Sequence, residues 1–256
     1  MSEKVVVITG ASSGIGAALS QRLGAEGYRL ALAARREPEL LRVAAMSSPA
    51  ALAVVTDVRS RSDVDRLRDA ALSRFGRIDV WVNNAGRGIG RKAADLTDED
   101  FDEMMAVNVK SALYGMQAVL PHFMQRGDGL IINVSSFLGR VPLAPFRSAY
   151  SAAKAALNVL TANLRMDLKA AYPGIRVSLV MPGMVATDFA ANALGGTPPM
   201  PAGGRTMPIQ TPEEVAGMIA SLIEHPMPEL YTNPTSAPTA RRYYEDVAAF
   251  EAAMRA

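Results

Sequence analysis

The sequence predicts an α/β fold, a single doubly wound parallel sheet with helices on both faces. Short apolar, β-branched segments alternate along the chain with longer segments of helical pattern. Such alternation is typical of parallel strands joined by right-handed helical crossovers. The chain has 256 residues, 49% of them hydrophobic, which is enough for one large core. We therefore expect one domain that spans residues 1–256.

Runs of apolar and β-branched residues predict the strands. They are Val5–Thr9, Arg29–Ala34, Ala51–Thr56, Val80–Asn83, Leu130–Ser135 and Arg176–Met181. Helices fill the intervals, and the strongest helical patterns cover Asp98–Met124 and Ser148–Ala171. Glycine and proline are too frequent between Gly195 and Thr211 for regular structure. Residues 189–211 therefore form either a lid over the site or a plain surface loop.

A glycine-rich turn follows the first strand. Gly10, Gly14 and Gly16 are spaced Gly-x-x-x-Gly-x-Gly, and the helical pattern Ala17–Leu23 comes next. A turn of this kind brings the backbone close to a pyrophosphate, while the N-terminus of the helix faces the negative charge. An ordinary glycine-rich connection has the same composition, but the strand before it and the helix after it favour a nucleotide site.

Two arginines follow the second strand, at the point that faces the adenosine ribose in a dinucleotide fold. A carboxylate there would bind the ribose 2′-hydroxyl, whereas arginine favours a 2′-phosphate. Arg35 and Arg36 occupy the strand end, and the first acidic residue, Glu37, comes after them. The alternative is a solvated pair of arginines, but the pattern favours a 2′-phosphorylated dinucleotide.

A tyrosine and a lysine lie four residues apart in the last long helical pattern. Tyr150 and Lys154 therefore share one face of the helix. A neighbouring ammonium favours the phenolate and lowers the pKa of a tyrosine, whose usual value is about 10. A phenol tuned in this way is a useful proton donor. For this pair alone, a surface helix with an aromatic and a charge in register is the alternative.

Several motifs, taken in order, resemble the short-chain dehydrogenase/reductase family. They are Thr9–Gly16, Asn83–Gly86, Asn108, Ser136, Tyr150-x-x-x-Lys154 and the later cofactor segment Pro182–Asp188. The resemblance runs from about Val5 to Asp188. It implies a Rossmann-type fold and an NAD(P)-dependent oxidation or reduction. Each motif alone is common, but their joint occurrence is specific.

The resemblance implies a catalytic set. Tyr150 would donate a proton to a carbonyl oxygen that Ser136 orients, and Lys154 would bind the nicotinamide ribose and lower the pKa of Tyr150. Asn108 would hold a water that relays protons behind the lysine. Ser136 is preferred to Ser135 because it stands three residues before a glycine, as in the family. With NADP(H) supplying or accepting the hydride, the expected reaction is reduction of a carbonyl to an alcohol, or the reverse.

The resemblance also implies a set of cofactor contacts. They are Gly10, Ser12, Ser13, Gly14, Ile15, Gly16, Arg35, Arg36, Asp57, Val58, Asn83, Ala85, Gly86, Tyr150, Lys154, Pro182, Gly183, Val185 and Thr187. Arg35 matches the family's NADP-preferring pattern, and Asn83 matches its cofactor-side asparagine. Asp57 matches a position that contacts adenine, although a helix N-cap or turn residue is an equal alternative.

The C-terminal segment 226–256 departs from the family, whose members finish with a strand and a glycine-rich ending. Here Arg241–Phe250 has a helical pattern, and no strand is expected after Met181. We expect a homo-oligomer, specifically a homodimer that pairs the helices Asp98–Met124 and Ser148–Ala171. The partner class is a small-molecule carbonyl or alcohol.

An apolar substrate body is expected because apolar side chains flank the motifs. The presumed pocket residues are Phe137, Leu138, Val141, Phe146, Met184, Val185 and Phe189. Arg87 and Arg140 lie in neighbouring loops, where each either binds an anionic group of the substrate or is simply solvated.

Composition excludes several function classes. The chain has no cysteine, hence no disulfide or thiolate chemistry, and its net charge of +2 without a basic block argues against nucleic-acid binding. No apolar stretch is long enough for a membrane span or a signal peptide, so we expect a cytoplasmic location. His122 and His225 stand apart from carboxylates, so no metal site is expected. The alternative function is a non-catalytic dinucleotide-binding sensor or scaffold of the same fold.

Overall fold

The computed structural model describes residues 4–196 and 208–254, and the strands of this part form one parallel sheet. They are β1 (Val5–Thr9), β2 (Arg29–Ala34), β3 (Leu52–Val55), β4 (Val80–Asn83), β5 (Gly129–Val134), β6 (Ile175–Met181) and β7 (Glu229–Tyr231). Their order is β3-β2-β1-β4-β5-β6-β7, and every neighbouring pair is parallel. The predicted fold class is confirmed.

Helices cover both faces of the sheet. They are α1 (Gly14–Ala25), α2 (Glu37–Ser47), α3 (Arg61–Phe75), α4 (Asp98–Met105), α5 (Ser111–Arg126), α6 (Ser148–Leu168), α7 (Pro212–Glu224), α8 (Ser236–Glu245) and α9 (Val247–Met254). Val6 and Ile8 of β1 enter a core with α1, α2 and α7, whereas Val7 enters a core with α3, α5 and α6. Because both faces of β1 are buried, the strand is apolar at successive positions.

The strand order reverses beside β1, and this reversal locates the site. The chain moves outward from β1 to β3 and then crosses back to β4 on the other side of β1. In open parallel sheets the ligand crevice lies beyond the carboxyl ends of the strands at such a reversal. Thr9 and Asn83 end β1 and β4, so the glycine-rich turn and the motif Asn83–Gly86 lie side by side there.

The predicted helix Asp98–Met124 is interrupted. A π-helical turn over Ala106–Lys110 separates α4 from α5 and contains Asn108. Such turns are rare and occur frequently at functional sites. The other predicted ends are off by a few residues: β3 is shorter than predicted, β5 and β6 each begin one residue earlier, and α6 ends at Leu168.

The expectation that no strand follows Met181 is wrong. The strand β7 pairs in parallel with β6 and extends the sheet. It has only three residues, all half-buried, so no apolar run predicted it. The helical pattern Arg241–Phe250 is divided between α8 and α9 at Asp246, which has extended backbone (φ −153°, ψ 96°). Asp246 Oδ1 accepts a hydrogen bond from Ala249 N at 2.9 Å and thereby caps α9.

The described part of the predicted lid segment 189–211 is anchored near the site, and residues 197–207 lie outside the described residues. Leu194 N donates to Gly88 O at 3.0 Å, and Gly90 N donates to Leu194 O at 2.7 Å. The start of the segment therefore lies against the loop that leaves β4. No helix within 4–196 and 208–254 has the length and apolar character needed to cross a bilayer.

Candidate active site

The glycine-rich turn forms a cradle at the carboxyl end of β1. Gly10 and Gly14 have φ values of 68° and 55°, in the left-handed region that favours glycine. A Cβ on Gly16 would clash with the backbone oxygen of Gly10, so this position requires glycine. Ser13, the N-cap of α1, makes no side-chain capping bond, which leaves the first amides of the helix to other acceptors. These features fit a pyrophosphate bound by backbone N–H groups.

The other predicted cofactor segments close around this cradle. A Cβ on Gly14 would lie 3.1 Å from the Thr187 methyl carbon, and a Cβ on Gly10 would lie 2.8 Å from Ala85 Cα. Pro182 O accepts a hydrogen bond from Phe137 N at 2.8 Å, which joins the later segment to the loop after Ser136. Three segments that are distant in sequence therefore meet at one edge of the sheet.

The two arginines after β2 lie beside the cradle. Arg36 Nη2 donates to Ser12 Oγ at 3.2 Å and to Ser13 Oγ at 3.0 Å. Arg35 is exposed. The end of β2 therefore presents two guanidinium groups next to the turn expected to hold phosphates, and no carboxylate precedes them on the strand.

Asp57 lies near the same end of the crevice, and an arginine binds its carboxylate. Arg59 donates hydrogen bonds to both carboxylate oxygens and thereby lowers the pKa of Asp57. Burial acts in the opposite direction, and the charge of Arg35 lowers the pKa of Asp57 further. The helix N-cap alternative does not hold, because Ser60 caps α3 by accepting from Asp63 N. The neighbouring Val58 is buried.

Asn83 does not direct its side chain to the cofactor crevice, so that prediction is wrong. Its Nδ2 donates to Asn133 Oδ1 at 2.8 Å and to Ala112 O at 3.3 Å. Its Oδ1 accepts from Trp81 Nε1 at 2.8 Å. The amide is saturated by these bonds in the contact between the sheet and α5.

Asn84, which the sequence predictions omitted, supports the cradle instead. Its Nδ2 donates to Thr9 O at 3.0 Å and to Gly10 O at 3.2 Å. Thr9 Oγ1 accepts from Asn84 N and from Ala85 N. The alternation of side chains along a strand could have identified Asn84 from the sequence. If Asn83 faces α5, the next residue faces the opposite side of the sheet.

Tyr150 and Ser136 form the centre of the candidate site. Both are buried, and the Ser136 side chain is near enough to the Tyr150 hydroxyl to lower the pKa of Tyr150. Ser135 instead bonds to Lys154 O at 3.2 Å and to Asn158 Oδ1 at 2.6 Å, on the α6 side of the strand end. The geometry therefore supports Ser136, rather than Ser135, as the partner of Tyr150.

Lys154 is buried in the same region, and its pKa reflects that burial. Its Nζ donates to Val134 O at 2.9 Å and lies 5.7 Å from the centroid of the Tyr150 ring. Burial lowers the pKa of Lys154 to about 7. An ammonium in this position would be costly to bury without a partner charge.

The predicted lowering of the Tyr150 pKa is wrong for the chain without cofactor. Burial raises the pKa of Tyr150 to about 12, against smaller lowering effects of the Ser136 hydrogen bond and the Arg147 charge. The error came from weighing only the neighbouring ammonium, whereas removal of water from a buried phenol dominates here.

Asn108 occupies the π-helical turn and is held by backbone groups. Its Oδ1 accepts from Arg87 N at 3.2 Å, and its Nδ2 donates to Arg87 O and Met104 O, each at 3.0 Å. A Cβ on Gly86 would lie 3.0 Å from Asn108 Oδ1 and 3.6 Å from Lys154 Nζ. The structure therefore brings Asn108 and Lys154 to the same glycine.

The apolar surroundings of Tyr150 differ from the expected pocket. Residues packed with it include Ile89, Met104, Val109, Leu138, Phe189 and Leu194. The rings of Phe189 and Tyr150 meet edge to face, with centroids 5.3 Å apart. Phe137 and Val141 are instead buried against Ala240 and the C-terminal aromatic residues, so their assignment to the pocket is wrong.

The charged groups near the pocket also differ from expectation. Arg140 binds Glu229 at 2.7 Å, and Arg87 contacts Glu103 at 3.4 Å, so each already has an acidic partner. Arg147, which the predictions missed, is buried and interacts electrostatically with Tyr150. In residues 4–196 and 208–254, histidine and acidic side chains form no group suited to a metal ion.

Comparison with known proteins agrees with this geometry. The family model described as short chain dehydrogenase matches residues 4–195. The chain belongs to the short-chain dehydrogenase family. It is 38% identical over 187 residues to an uncharacterised oxidoreductase of Staphylococcus epidermidis, covering 73% of this chain and 80% of that protein. It is 36% identical over 235 residues to the uncharacterised oxidoreductase YxnA of Bacillus subtilis, covering 90% of this chain and 65% of that longer protein.

Solved structures of short-chain dehydrogenases share the fold. A family member from Burkholderia phymatum in complex with NAD has a TM-score of 0.85 at 28% identity, with 96% of this chain and 95% of that chain covered. A 3-ketoacyl-(acyl-carrier-protein) reductase from Brucella melitensis complexed with NADH has a TM-score of 0.81 at 30% identity, with 90% and 96% covered. The chain is therefore an oxidoreductase of this family that uses a nicotinamide dinucleotide.

Lys154 makes the stability of the cofactor-free short-chain dehydrogenase depend on pH. Its pKa is about 7 in the folded chain and 10.5 in a model lysine, so the unfolded chain binds an extra proton between these values. The free energy of unfolding should then rise with pH across this window, by at most about 1.4 kcal/mol per pH unit. Urea unfolding from pH 6 to 9 measures the rise.

The matched variants are Lys154→Met and, as a control on the exposed surface, Lys169→Met. We expect the pH-dependent rise to be absent in Lys154→Met and retained in Lys169→Met. An equal rise in wild type and Lys154→Met would contradict a lowered pKa for Lys154.

Proposed function

We propose that the chain is an NADPH-dependent reductase that converts a carbonyl to an alcohol, or catalyses the reverse reaction. The observation that carries this proposal is the shared burial of Tyr150, Ser136 and Lys154, with Lys154 on the next turn of α6 after Tyr150. A non-catalytic sensor would need the cradle but not this buried set. Burial of three polar side chains is costly unless they act together.

The roles of the residues follow from their positions. Ser136 would donate a hydrogen bond to the carbonyl oxygen, and Tyr150 would deliver a proton to the same oxygen as it gains charge. Lys154 would bind the nicotinamide ribose and favour the Tyr150 phenolate once its own ammonium is charged. NADPH, when bound, supplies the hydride. Asn108 would support the proton path to Lys154 through the region of Gly86.

The preference for NADPH over NADH is supported by the charges at the end of β2. Arg35 and Arg36 stand where a carboxylate would bind the ribose 2′-hydroxyl, and Arg36 already bonds to the phosphate turn through Ser12 and Ser13. Arginine binds phosphate in a planar, bidentate geometry. One solved relative, an alcohol dehydrogenase from Thermococcus sibiricus, is described as complexed with 5-hydroxy-NADP, at 30% identity and a TM-score of 0.77.

The proposed substrate is a ketone or aldehyde with an apolar body. Leu138 and Phe189 pack beside Tyr150, and Met184 is exposed within the later cofactor segment. Aromatic and thioether side chains suit an apolar ligand of variable shape. The 3-ketoacyl reductase from Brucella melitensis acts, by its description, on a carbonyl compound of this general class.

A homodimer through the long helices is our proposal for the assembly. Val159 and Met166 of α6 are 61% and 64% exposed and lie seven residues apart, on one face of the helix, where they could pack against a second copy. The cytoplasmic location, the single domain and the lid role of residues 189–211 stay predictions.

Replacing Tyr150 tests the proposed reaction. Tyr150→Phe should lower turnover of the best carbonyl from a ketone and aldehyde panel by about 10²–10⁴-fold, because general acid catalysis is lost. NADPH affinity, followed by fluorescence titration, should change little. The control is Tyr172→Phe, which alters a half-buried tyrosine in another core cluster. Turnover by Tyr150→Phe at the wild-type rate would refute the assigned role, and no turnover of any panel compound by wild type would favour a sensor.

Replacing Arg35 tests the cofactor preference. Arg35→Asp should weaken NADPH binding and improve NADH binding, because the carboxylate repels a 2′-phosphate and accepts a bond from a 2′-hydroxyl. Arg29→Asp is the control, since Arg29 is exposed at the opposite end of β2. Equal affinity of the wild-type chain for both cofactors would contradict the proposal.

A further inference from the structure

The chain that follows β7 reaches the same edge of the sheet as the cofactor cradle. In the pair of β6 and β7, Met181 is the register partner of Tyr231. Because the two strands are parallel, the residues after Met181 and those after Tyr231 leave the sheet side by side, at the edge where ligands bind. A Cβ on Gly183 would lie 3.2 Å from Asn233 Cβ, in agreement with this placement. The divergent C-terminal segment therefore lies directly against the later cofactor segment.

Thr232 and Gln210 form a reciprocal pair beside that contact. The Thr232 hydroxyl donates to Gln210 Oε1 at 2.6 Å, and Gln210 Nε2 donates to Thr232 O at 3.1 Å. Thr232 is buried and Gln210 is half-buried. Buried polar groups are normally hydrogen-bonded, and this pair satisfies both the hydroxyl and the carbonyl of Thr232. The amide of Gln210 is thereby fixed at its oxygen and at its nitrogen.

The backbone of Gln210 carries this constraint into the later cofactor segment. Gln210 N donates to Met184 O at 2.9 Å, and Ala186 N donates to Gln210 O at 2.9 Å. These two bonds form a parallel bridge between Gln210 and Val185. The backbone around Val185 is therefore held by Gln210, whose side chain is in turn held by Thr232.

Asn233 adds a second attachment to the same part of the chain. It is buried, and its Nδ2 donates to Pro208 O at 2.9 Å. Its Oδ1 accepts from Thr235 N at 3.0 Å and from Thr235 Oγ1 at 2.7 Å, which fixes the orientation of the amide. Two successive residues after β7 therefore hold two positions, Pro208 and Gln210, on the chain that leads into α7.

The later cofactor segment lies near Tyr150 rather than near the arginines after β2. A Cβ on Gly14 would lie 3.1 Å from the Thr187 methyl carbon, and the ring of Phe189 packs on Tyr150. Arg35 follows β2, on the opposite side of β1 from β6. A dinucleotide that extends from Arg35 to Tyr150 therefore meets this segment with its nicotinamide half and not with its adenosine half.

We propose that Thr232 is a positioning residue that, through Gln210, holds the backbone around Val185 in the conformation that binds the nicotinamide half of the cofactor. A backbone that is fixed in advance does not have to be ordered when the ligand binds, so Thr232 raises affinity without touching the ligand. The inference rests on the proposed function only in taking Tyr150 as the nicotinamide end of the crevice. It gives the segment that departs from the family a role in cofactor binding.

Two substitutions of Thr232 test this role by binding alone. Thr232→Val removes the hydroxyl with little change in shape, whereas Thr232→Ser keeps the hydroxyl and is the matched control. Calorimetry measures affinity for the dinucleotide that wild type prefers, NADPH or NADH, and for its adenosine half, adenosine 2′,5′-bisphosphate or AMP. Thr232→Val should weaken dinucleotide binding about two- to tenfold, the effect of one lost hydrogen bond, with the adenosine half unchanged. Thr232→Ser should bind both ligands like wild type.

Unchanged dinucleotide affinity in folded Thr232→Val would overturn the proposal, as would an equal loss for the dinucleotide and its adenosine half. Thr187→Val then shows where the account fails. If Thr187→Val loses affinity, the later cofactor segment binds the cofactor and only the role of Thr232 is wrong, whereas full affinity in both variants means that the segment is wrongly assigned. None of these measurements depends on turnover, so failure of the proposed reaction is detected separately by Tyr150→Phe.

Gln210→Met breaks the same pair from its half-buried side and should weaken dinucleotide binding to the same extent. When both single variants fold, the double variant should bind no more weakly than either one, because both changes remove one interaction. Additive losses would overturn the proposal. If circular dichroism shows that Thr232→Val does not fold, Gln210→Met carries the test alone, and unchanged dinucleotide affinity or an equal loss for the adenosine half would overturn the proposal.

Discussion

The burial of Tyr150 and Lys154 on successive turns of α6 is the constraint on which the site depends. Two buried polar groups need fixed partners, and the fold supplies them from several elements. Val134 at the end of β5 accepts a hydrogen bond from Lys154, and the Ser136 side chain lowers the pKa of Tyr150. Small residues make this possible: a Cβ on Gly139 would lie 2.6 Å from the backbone carbon of Lys154.

The dinucleotide cradle is connected to this pocket through backbone contacts. A Cβ on Gly10 would lie 2.8 Å from Ala85 Cα, and a Cβ on Gly86, in the same motif as Ala85, would lie 3.0 Å from Asn108 Oδ1 and 3.6 Å from Lys154 Nζ. The loop after Ser136 bonds to Pro182, next to the segment that closes on Gly14. Binding at the cradle and chemistry at Tyr150 therefore share a continuous, closely packed set of residues, which favours precise placement of reacting groups.

The C-terminal helices support the same loop from the other side. Phe137 and Val141 pack against Ala240, and the Tyr244 hydroxyl donates to Arg140 O at 2.9 Å. These contacts explain why Phe137 is buried although it follows the catalytic serine candidate directly. The divergent C-terminal segment therefore packs against the loop after Ser136. The strand β7, which belongs to the same segment, contributes Glu229 to the ion pair with Arg140.

Much of the fold was predictable because buried parallel strands are apolar at nearly every position, as in Val5–Thr9. The strand β7 was not, because three half-buried residues carry no periodic signal. The π-helical turn at Asn108 was also missed, since its sequence is compatible with a regular helix. The two missed elements are short segments, whereas the fold class is predicted by the pattern of many residues along the chain.

The candidate site was also predictable only in part. Ser136, Tyr150 and Lys154 came from motif spacing, but the direction of the Tyr150 pKa depends on burial, which only tertiary structure reveals. Arg147 did leave a signal in the sequence, because a basic residue at a helix N-terminus opposes the dipole. Asn83 and Asn84 are adjacent, and only the packing of α5 decides which one supports the cradle.

The most direct test of this account is proton uptake on NADPH binding, measured by calorimetry at pH 8 in buffers of different ionisation enthalpy. In the free chain the pKa of Lys154 is about 7, so the lysine is mostly neutral at pH 8. An anionic ligand raises the pKa of a nearby amine. Wild type should take up as much as about one proton, and Lys154→Met should take up none. Binding without uptake, or equal uptake in both proteins, would contradict it.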